Sequence, residues 1–306
     1  MNCKLCKVIW CNKGYIVKEA AKWTSVIYAA LGFVGLFISY DKIIPENKSV
    51  FCRFMISLAI LAGVWLVCFI SNALITIRKE RFEIIKSNNG HSLYLQYGDV
   101  FNEKEVFDPD KPRSIVIPVN RCFDMHLDKV DKEIVSAETL HGKMLKRLYD
   151  SNVYTEDTLN LLLEERLKSK RFDQITPQEK PEGKRKRYPV GTCIKLPGMN
   201  NENYLLVALS TFDVGEHART TMAEYSVALQ KMIESCNDES QGYPIVIPIV
   251  GAGLSRIKKN QYDLLRYMIS VFRLNKEEIN SDIHIVVHKK LKNEISIAEI
   301  CRKERP

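Results

Sequence analysis

Ile245-Val246-Ile247-Pro248-Ile249-Val250-Gly251-Ala252-Gly253-Leu254-Ser255-Arg256 is a continuous apolar run that breaks into Gly-x-Gly and ends on a cation. An unbroken β-branched run suits a strand covered on both faces of a sheet. Glycines directly behind such a strand let backbone N–H groups converge on a phosphate, with Arg256 as counter-charge. The same pattern also serves as a bare turn, so its neighbours decide. Further strand candidates are Phe82 to Ile85, His91 to Tyr97, Ser114 to Val119, Thr192 to Leu196, Tyr204 to Ser210 and Ile283 to Val287. Helical faces alternate with them: Met222, Tyr225, Leu229, Met232 and Ile233 mark one, and Leu264, Leu265, Met268, Val271 and Phe272 another. The alternation predicts an α/β domain of roughly 220 residues with three layers, a central sheet between helices.

In open α/β sheets, ligands bind outside the carboxyl ends of strands. Four loops qualify: Tyr97-Gly98-Asp99-Val100, Val119-Asn120-Arg121, Ser210-Thr211-Phe212-Asp213 and Gly251 to Arg256. Each residue also has an ordinary structural use, since Asp99 can cap a helix and Asn120 can satisfy a turn. A charged segment at about 150–188 interrupts the alternation. It reads as an insertion made of a helix, with Leu159, Leu161, Leu162, Leu163 and Leu167, and a mobile loop over Gln174 to Arg187. Two uses stand open for it, a contact surface between copies or a lid. The basic run Lys184 to Arg187 lacks interleaved aromatics that would stack on bases, so it is read as a solvated loop and no nucleic-acid partner is expected.

Ahead of this domain, Trp23 to Tyr40 and Phe54 to Ile77 carry no charged side chain. About twenty such residues span a bilayer core. Residues 23–77 therefore predict a two-helix transmembrane hairpin, with 1–22 a partly disordered cytoplasmic lead-in and 82–306 one cytoplasmic domain. A cleaved signal peptide does not suit the first stretch, which exceeds the roughly 7–15 residues of a signal core and ends on the poor cleavage site Ser39-Tyr40-Asp41. Lys4, Lys7, Lys13, Lys18 and Lys22 before the first span, and Arg78, Lys79 and Arg81 after the second, place both termini inside the cell. They contribute much of the net charge of +8 and suit anionic headgroups. Neither span holds a charged relay for ions or protons. Small residues recur four apart, Ser25 with Ala29 and Ala59 with Gly63, a spacing that permits close helix packing. The nine cysteines show no paired spacing, as in a reduced compartment. Cys3, Cys6 and Cys11 make half of a zinc pattern with no completing ligands nearby, so no metal is expected.

Taken in order, Gly98-Asp99-Val100, Ile115 to Asn120, Leu140-His141-Gly142 and Ile245 to Gly253 resemble the macro domain over about residues 82–296. More closely, the chain resembles the divergent macro domain carried behind two membrane helices by effectors of the Thoeris anti-phage defence system. The resemblance implies a macro-like domain with a mixed central sheet. Its implied ligand is an ADP-ribose-type signalling nucleotide derived from NAD by a partner TIR-domain enzyme in the infected cell. Asp99, followed by Val100, would accept a hydrogen bond from the adenine amino group. Asn120 would face the distal ribose, and Gly251, Ala252, Gly253, Leu254 and Ser255 match the second phosphate loop, with Arg256 beside it. Thr211 and Phe212 complete the expected edge.

The chain departs from enzymatic macro domains after Asn120. Arg121-Cys122-Phe123-Asp124 stands where a second asparagine and a glycine run are usual. The corresponding loop must come from Lys132 to Gly142, where Ser136, Thr139 and His141 can donate from side chains. No Ser/His/Asp or Cys/His arrangement emerges from spacing. Two classes follow: a ligand-gated receptor that homo-oligomerises and breaches the bacterial inner membrane, with no cofactor and no catalysis, or a membrane-tethered ADP-ribosyl hydrolase or NAD-consuming enzyme. The receptor is the expected one, because a tether concentrates copies for assembly and brings a free-standing enzyme little.

Overall fold

The computed structural model describes all residues except 1, 36, 38–48, 103–111, 128–133, 213–217, 253–256, 258 and 305–306. It falls into two compact units, Met1–Phe82 with Lys290–Pro306, and Glu83–Lys289.

The strands are β1 (Arg81–Lys86), β2 (Ser92–Gly98), β3 (Arg113–Asn120), β4 (Asp173–Gln174), β5 (Lys186–Arg187), β6 (Cys193–Pro197), β7 (Glu202–Phe212), β8 (Ala218–Arg219), β9 (Ile245–Pro248) and β10 (Ile283–His288). Their main sheet runs β1-β2-β10-β9-β3-β7-β6, with β8 added along β7. The pairs β2/β10, β10/β9, β9/β3 and β3/β7 are parallel, and β6/β7 is antiparallel. The sheet is therefore mixed, and every strand candidate of the sequence lies in it. Parallel pairing demands crossovers that cover both faces, which is why Ile115, Ile117, Val246, Ile247, Ile283 and Ile285 are fully buried.

After three N-terminal helices, the helices of this unit are α4 (Leu140–Asp150), α5 (Glu156–Leu167), α6 (Met222–Glu239) and α7 (Gln261–Leu274). Each is capped at its start by a side chain, Thr139 serving α4. Thr221 accepts from the backbone N–H of Glu224 at 3.2 Å while Glu224 accepts from that of Thr221 at 2.8 Å; Thr155 and Thr158 pair the same way before α5; Asn260 accepts from the N–H of Asp263 at 2.8 Å. Each satisfies a donor that the first turn leaves orphaned.

The insertion holds α5, whose Leu159, Leu163 and Leu167 join the core while Leu161 stays 67% exposed. Behind it the β4/β5 hairpin forms. The expected mobile loop is instead fastened. Lys180 is buried and its ammonium donates to Asp124 Oδ2 at 2.6 Å, and the backbone N–H of Lys184 donates to Asp124 Oδ1 at 2.6 Å.

At the opposite end of the central strands, Arg113 and Glu202 face each other in the β3/β7 register. The carboxylate of Glu202 takes Arg113 on one oxygen, and Arg147 at 3.3 Å and the Tyr204 hydroxyl at 3.0 Å on the other. Glu202 and Arg113 are both 3% exposed.

The other unit contains α1 (Asn2–Cys11), α2 (Lys13–Gly35), α3 (Val50–Arg78) and α8 (Ile297–Glu304). Among the described residues one helix, α3, is long and apolar enough to cross a membrane. Its outward residues include Phe51, Phe54 and Val67. The expected first span lies on α2 as far as Gly35, and the turn that would close the hairpin falls mostly outside the described residues, so the two-span hairpin narrows here to one apolar helix. Ala59 and Gly63 are exposed, with open space beside Gly63. The lead-in expected to be partly disordered forms α1. The C-terminal helix also belongs to this unit: Ser296 donates to Asn12 Oδ1 at 2.6 Å, and the Lys292 ammonium donates to Ile77 O at 2.8 Å.

Removing Glu202 leaves Arg113 charged and buried without its partner. Glu202→Ala is expected to cost about 3–5 kcal/mol, read from denaturant unfolding of the detergent-solubilised chain. A loss below about 1 kcal/mol would show that this ion cluster is dispensable.

Candidate functional site

Because β2, β10, β9, β3 and β7 are mutually parallel along the sheet, their carboxyl ends share one edge. Asp99, Asn120, Thr211 and Gly251 all stand on it, each just past or at the end of its strand.

Asp99 Oδ1 accepts from the backbone N–H of Phe101 at 3.0 Å, which pins the loop behind β2. Val100 is buried in the core cluster, so it anchors that loop and is not on the site's surface. Behind β9, Gly251 has φ +80, a conformation that favours glycine. A Cβ there would stand 2.5 Å from Ile257 Cδ1 and 3.2 Å from the Tyr225 ring. Tyr225 is buried and donates its hydroxyl to Val250 O at 3.0 Å, and the N–H of Ala252 bonds Ile249 O at 3.3 Å. An aromatic side chain from α6 thus fixes the entry of the Gly-x-Gly turn. Gly253, Leu254, Ser255 and Arg256 lie outside the described residues.

Asn120 is buried and turned inward. Its Oδ1 accepts from the N–H groups of Cys122 at 3.0 Å and Asp124 at 3.4 Å. The side-chain oxygen therefore closes the turn after β3, the structural use open to it in the sequence. Arg121 then crosses the edge: its backbone N–H bonds Ser210 O at 2.8 Å, its Nε donates to Tyr188 O at 2.8 Å, and its Nη1 approaches Glu224 Oε1 at 3.5 Å. Burial, with Arg187 nearby, lowers the pKa of this guanidinium. Burial likewise pushes the Cys122 thiol up to about 11, which leaves it protonated and a poor nucleophile.

Ser136, Thr139 and Gly142 build the start of α4. Thr139 Oγ1 accepts from the N–H of Gly142 at 3.0 Å and donates to Ser136 O at 2.7 Å, while Ser136 Oγ accepts from the N–H of Glu138 at 3.4 Å. A side chain at Gly142 would collide with the backbone of Ser136 and Ala137. His141 is buried, and its Nε2 has no hydrogen-bond partner. Burial first, and Lys184 second, lower its pKa to about 3. It is a neutral imidazole at physiological pH. At the far end of the edge, Thr211 donates to Arg219 O at 3.5 Å within the β7/β8 pair, and Phe212 pairs with Ala218.

The sequence reading missed Lys180, Tyr188 and Tyr225 as builders of this edge. Tyr225 stood out only as one position of an apolar helix face. Lys180 meets Asp124 from 56 positions away, which local spacing does not reveal. Among the described residues no three His, Cys, Asp or Glu side chains gather as a metal site.

The sign of a pH effect follows from His141. The unfolded chain takes a proton near pH 6.5 that the folded site refuses until about pH 3. Stability is then full above pH 6.5 and falls by about 1.4 kcal/mol per unit as pH drops through that window. Between pH 7 and pH 5 His141→Gln is expected to lose about 2 kcal/mol less than the parent in urea unfolding. Equal slopes for the two proteins would remove His141 as a source of acid sensitivity.

Comparison with known proteins agrees with this architecture. The family model described as Thoeris protein ThsA, macro domain, matches residues 93–288. Thoeris protein ThsA of Bacillus amyloliquefaciens (strain Y2) is 26% identical over 292 residues, covering 90% of this chain and 87% of that protein. Among solved structures, the Oceanobacillus iheyensis macrodomain with MES bound aligns at a TM-score of 0.45 and 11% identity, covering 73% of this chain and 95% of that one. The same macrodomain with ADP aligns at 0.40 and 11%, covering 73% and 94%. The family match spans well over half of the chain and takes in every strand of the parallel edge: the chain belongs to the Thoeris protein ThsA macro-domain family.

Proposed function

We propose that this protein is a membrane-held sensor in anti-phage defence, which binds an ADP-ribose-type nucleotide on the edge formed by Asp99, Asn120 and Gly251. Family membership supports the defence role and the ligand class. The observation that carries the reading is the glycine turn at Gly251, which Tyr225 fixes just past the end of a central strand, on the edge where ligands of open α/β sheets bind. In this reading the nucleotide comes from a TIR-domain partner enzyme, both termini are cytoplasmic and α2 with α3 forms the membrane hairpin. Ligand binding drives assembly of copies, and assembly disrupts the inner membrane. The exposed Ala59 and Gly63 then form a helix face open to neighbouring copies.

A receptor is favoured over a hydrolase on the site's chemistry. Asn120 Oδ1 is committed to its own turn, His141 is held neutral with a pKa far from 7, and the Cys122 thiol is protonated. General acid or base catalysis wants a group poised near the working pH.

The test is calorimetric titration of the detergent-solubilised chain with ADP-ribose, NAD and cyclic or base-conjugated ADP-ribose, followed by product analysis. Binding without turnover is expected. Asp99→Ala should weaken binding about tenfold, the worth of one hydrogen bond to a charged group, and Arg256→Glu should abolish it by opposing phosphate. Turnover would establish the hydrolase instead, and no binding of any nucleotide would sink the sensor. Replacing Ala59 and Gly63 with Leu should spare binding and suppress toxicity in cells; undiminished toxicity would remove that face from the assembly.

A further inference from the structure

The insertion carries two exposed patches of opposite charge, each centred on an apolar side chain. On α5, Asp157, Leu161 and Glu165 follow at four-residue spacing, so they share one outward stripe. Leu161 is 67% exposed at its centre. On the hairpin, Arg171, Phe172 and Lys186 form the second patch. Phe172 is 46% exposed, and the Lys186 ammonium sits 5.3 Å from its ring centroid. Among the described residues, Asp157, Glu165, Arg171 and Lys186 have no ion-pair partner within the chain.

The patches are also rigidly carried. Leu159, Leu163 and Leu167 lock α5 into the core, and the hairpin is tied down by the Lys180–Asp124 ion pair, by the N–H of Lys184 on Asp124 and by the N–H of Ile175 on Arg185 O at 3.0 Å. Surfaces ordered in advance lose little side-chain and loop entropy on association. An isolated charge run is ordinarily a solvated face. What sets these patches apart is that each couples an exposed apolar side chain to charges of one sign, the arrangement of an anchor with a charged rim.

We propose that the insertion is a docking surface for a second copy of this chain, the acidic α5 stripe of each copy meeting the basic hairpin patch of the other across a two-fold axis. An isologous contact needs a surface that is complementary to itself, and patches of opposite sign carried by one insertion supply the complementary charges. Leu161 then packs against Phe172 of the facing copy, shielded by the charges around it. This deepens the assembly step of the sensor reading and rests on it. The insertion's other use, a lid over the ligand edge, makes no demand for matched charges on its outer face.

Charge reversal tests the contact. The full chain is placed in lipid vesicles, half of it isotopically heavy, with and without ADP-ribose, and treated with a zero-length carbodiimide that joins carboxylates to lysines in contact. Mass spectrometry of mixed light–heavy peptides is expected to join Glu165 of one copy to Lys186 of another. The double variants Asp157→Lys with Glu165→Lys, and Arg171→Glu with Lys186→Glu, should each lower inter-copy joining at least tenfold. Mixing the two variants should restore it, because each then offers the other a matched patch. Thermal unfolding and ADP-ribose affinity of both variants should equal those of the parent, which separates loss of assembly from loss of fold or of the ligand site. Parental joining in either variant, joining confined within copies, or failure of the mixture to recover would each overturn the proposal.

Discussion

Parallel pairing of β2, β10, β9, β3 and β7 is the constraint on which the rest of the α/β unit depends. It sends five carboxyl ends to one edge, and it forces every connection between those strands to cross the sheet's faces and cover them. The long buried strands follow from that covering. The location of the candidate site follows from the edge, since loops gather there with strand ends as their anchors. The mixed character enters only outside this block, where β6 pairs antiparallel with β7 and β8 is added along β7.

Within that frame, the turn after β3 is built from its own residues and from the insertion. Arg121-Cys122-Phe123-Asp124 builds a turn closed by its own Asn120. Asp124 is 2% exposed, and a buried carboxylate requires a cation and hydrogen-bond donors. The insertion supplies both, Lys180 as the cation and the Lys184 N–H as a donor. Gly183 has φ +76, and a side chain there would strike Asp124 Oδ1, so a glycine is needed for the strap to come so near. The β3 turn and the insertion are therefore one construction. Removing the strap would strand a charge in the core.

The longer strands were legible as short apolar runs between turn residues: β3, β9 and β10 are rich in β-branched residues, whereas β2 and β7 read through Leu and Tyr. The Gly251 turn was legible for the same reason, as a glycine behind such a run. The two-residue strands β4, β5 and β8 are too short to carry a period. Asn120 was legible as an edge residue, yet its inward turn was not, because whether an amide faces a ligand or its own backbone depends on the loop that follows. Lys180 stood in the Gln174 to Arg187 segment that read as a mobile loop, and only the fold reveals the carboxylate beneath it. The C-terminal helix α8 joins the N-terminal helices through Ser296 and Asn12, 284 positions apart, a pairing outside the reach of local pattern.

The electrostatics of the edge bear on what it can do. Burial dominates each titratable group whose pKa moves there: it lowers His141 to about 3, lifts Cys122 to about 11, and lowers Lys184 and Arg121. His141 and Cys122 are both carried away from neutrality, so their protonation is fixed over the physiological range. A reacting site gains from groups that exchange protons near pH 7, whereas a binding site gains from groups whose charge stays constant while a ligand arrives. That fixed protonation comes from burial, and the burial comes from the packing that the parallel sheet imposes.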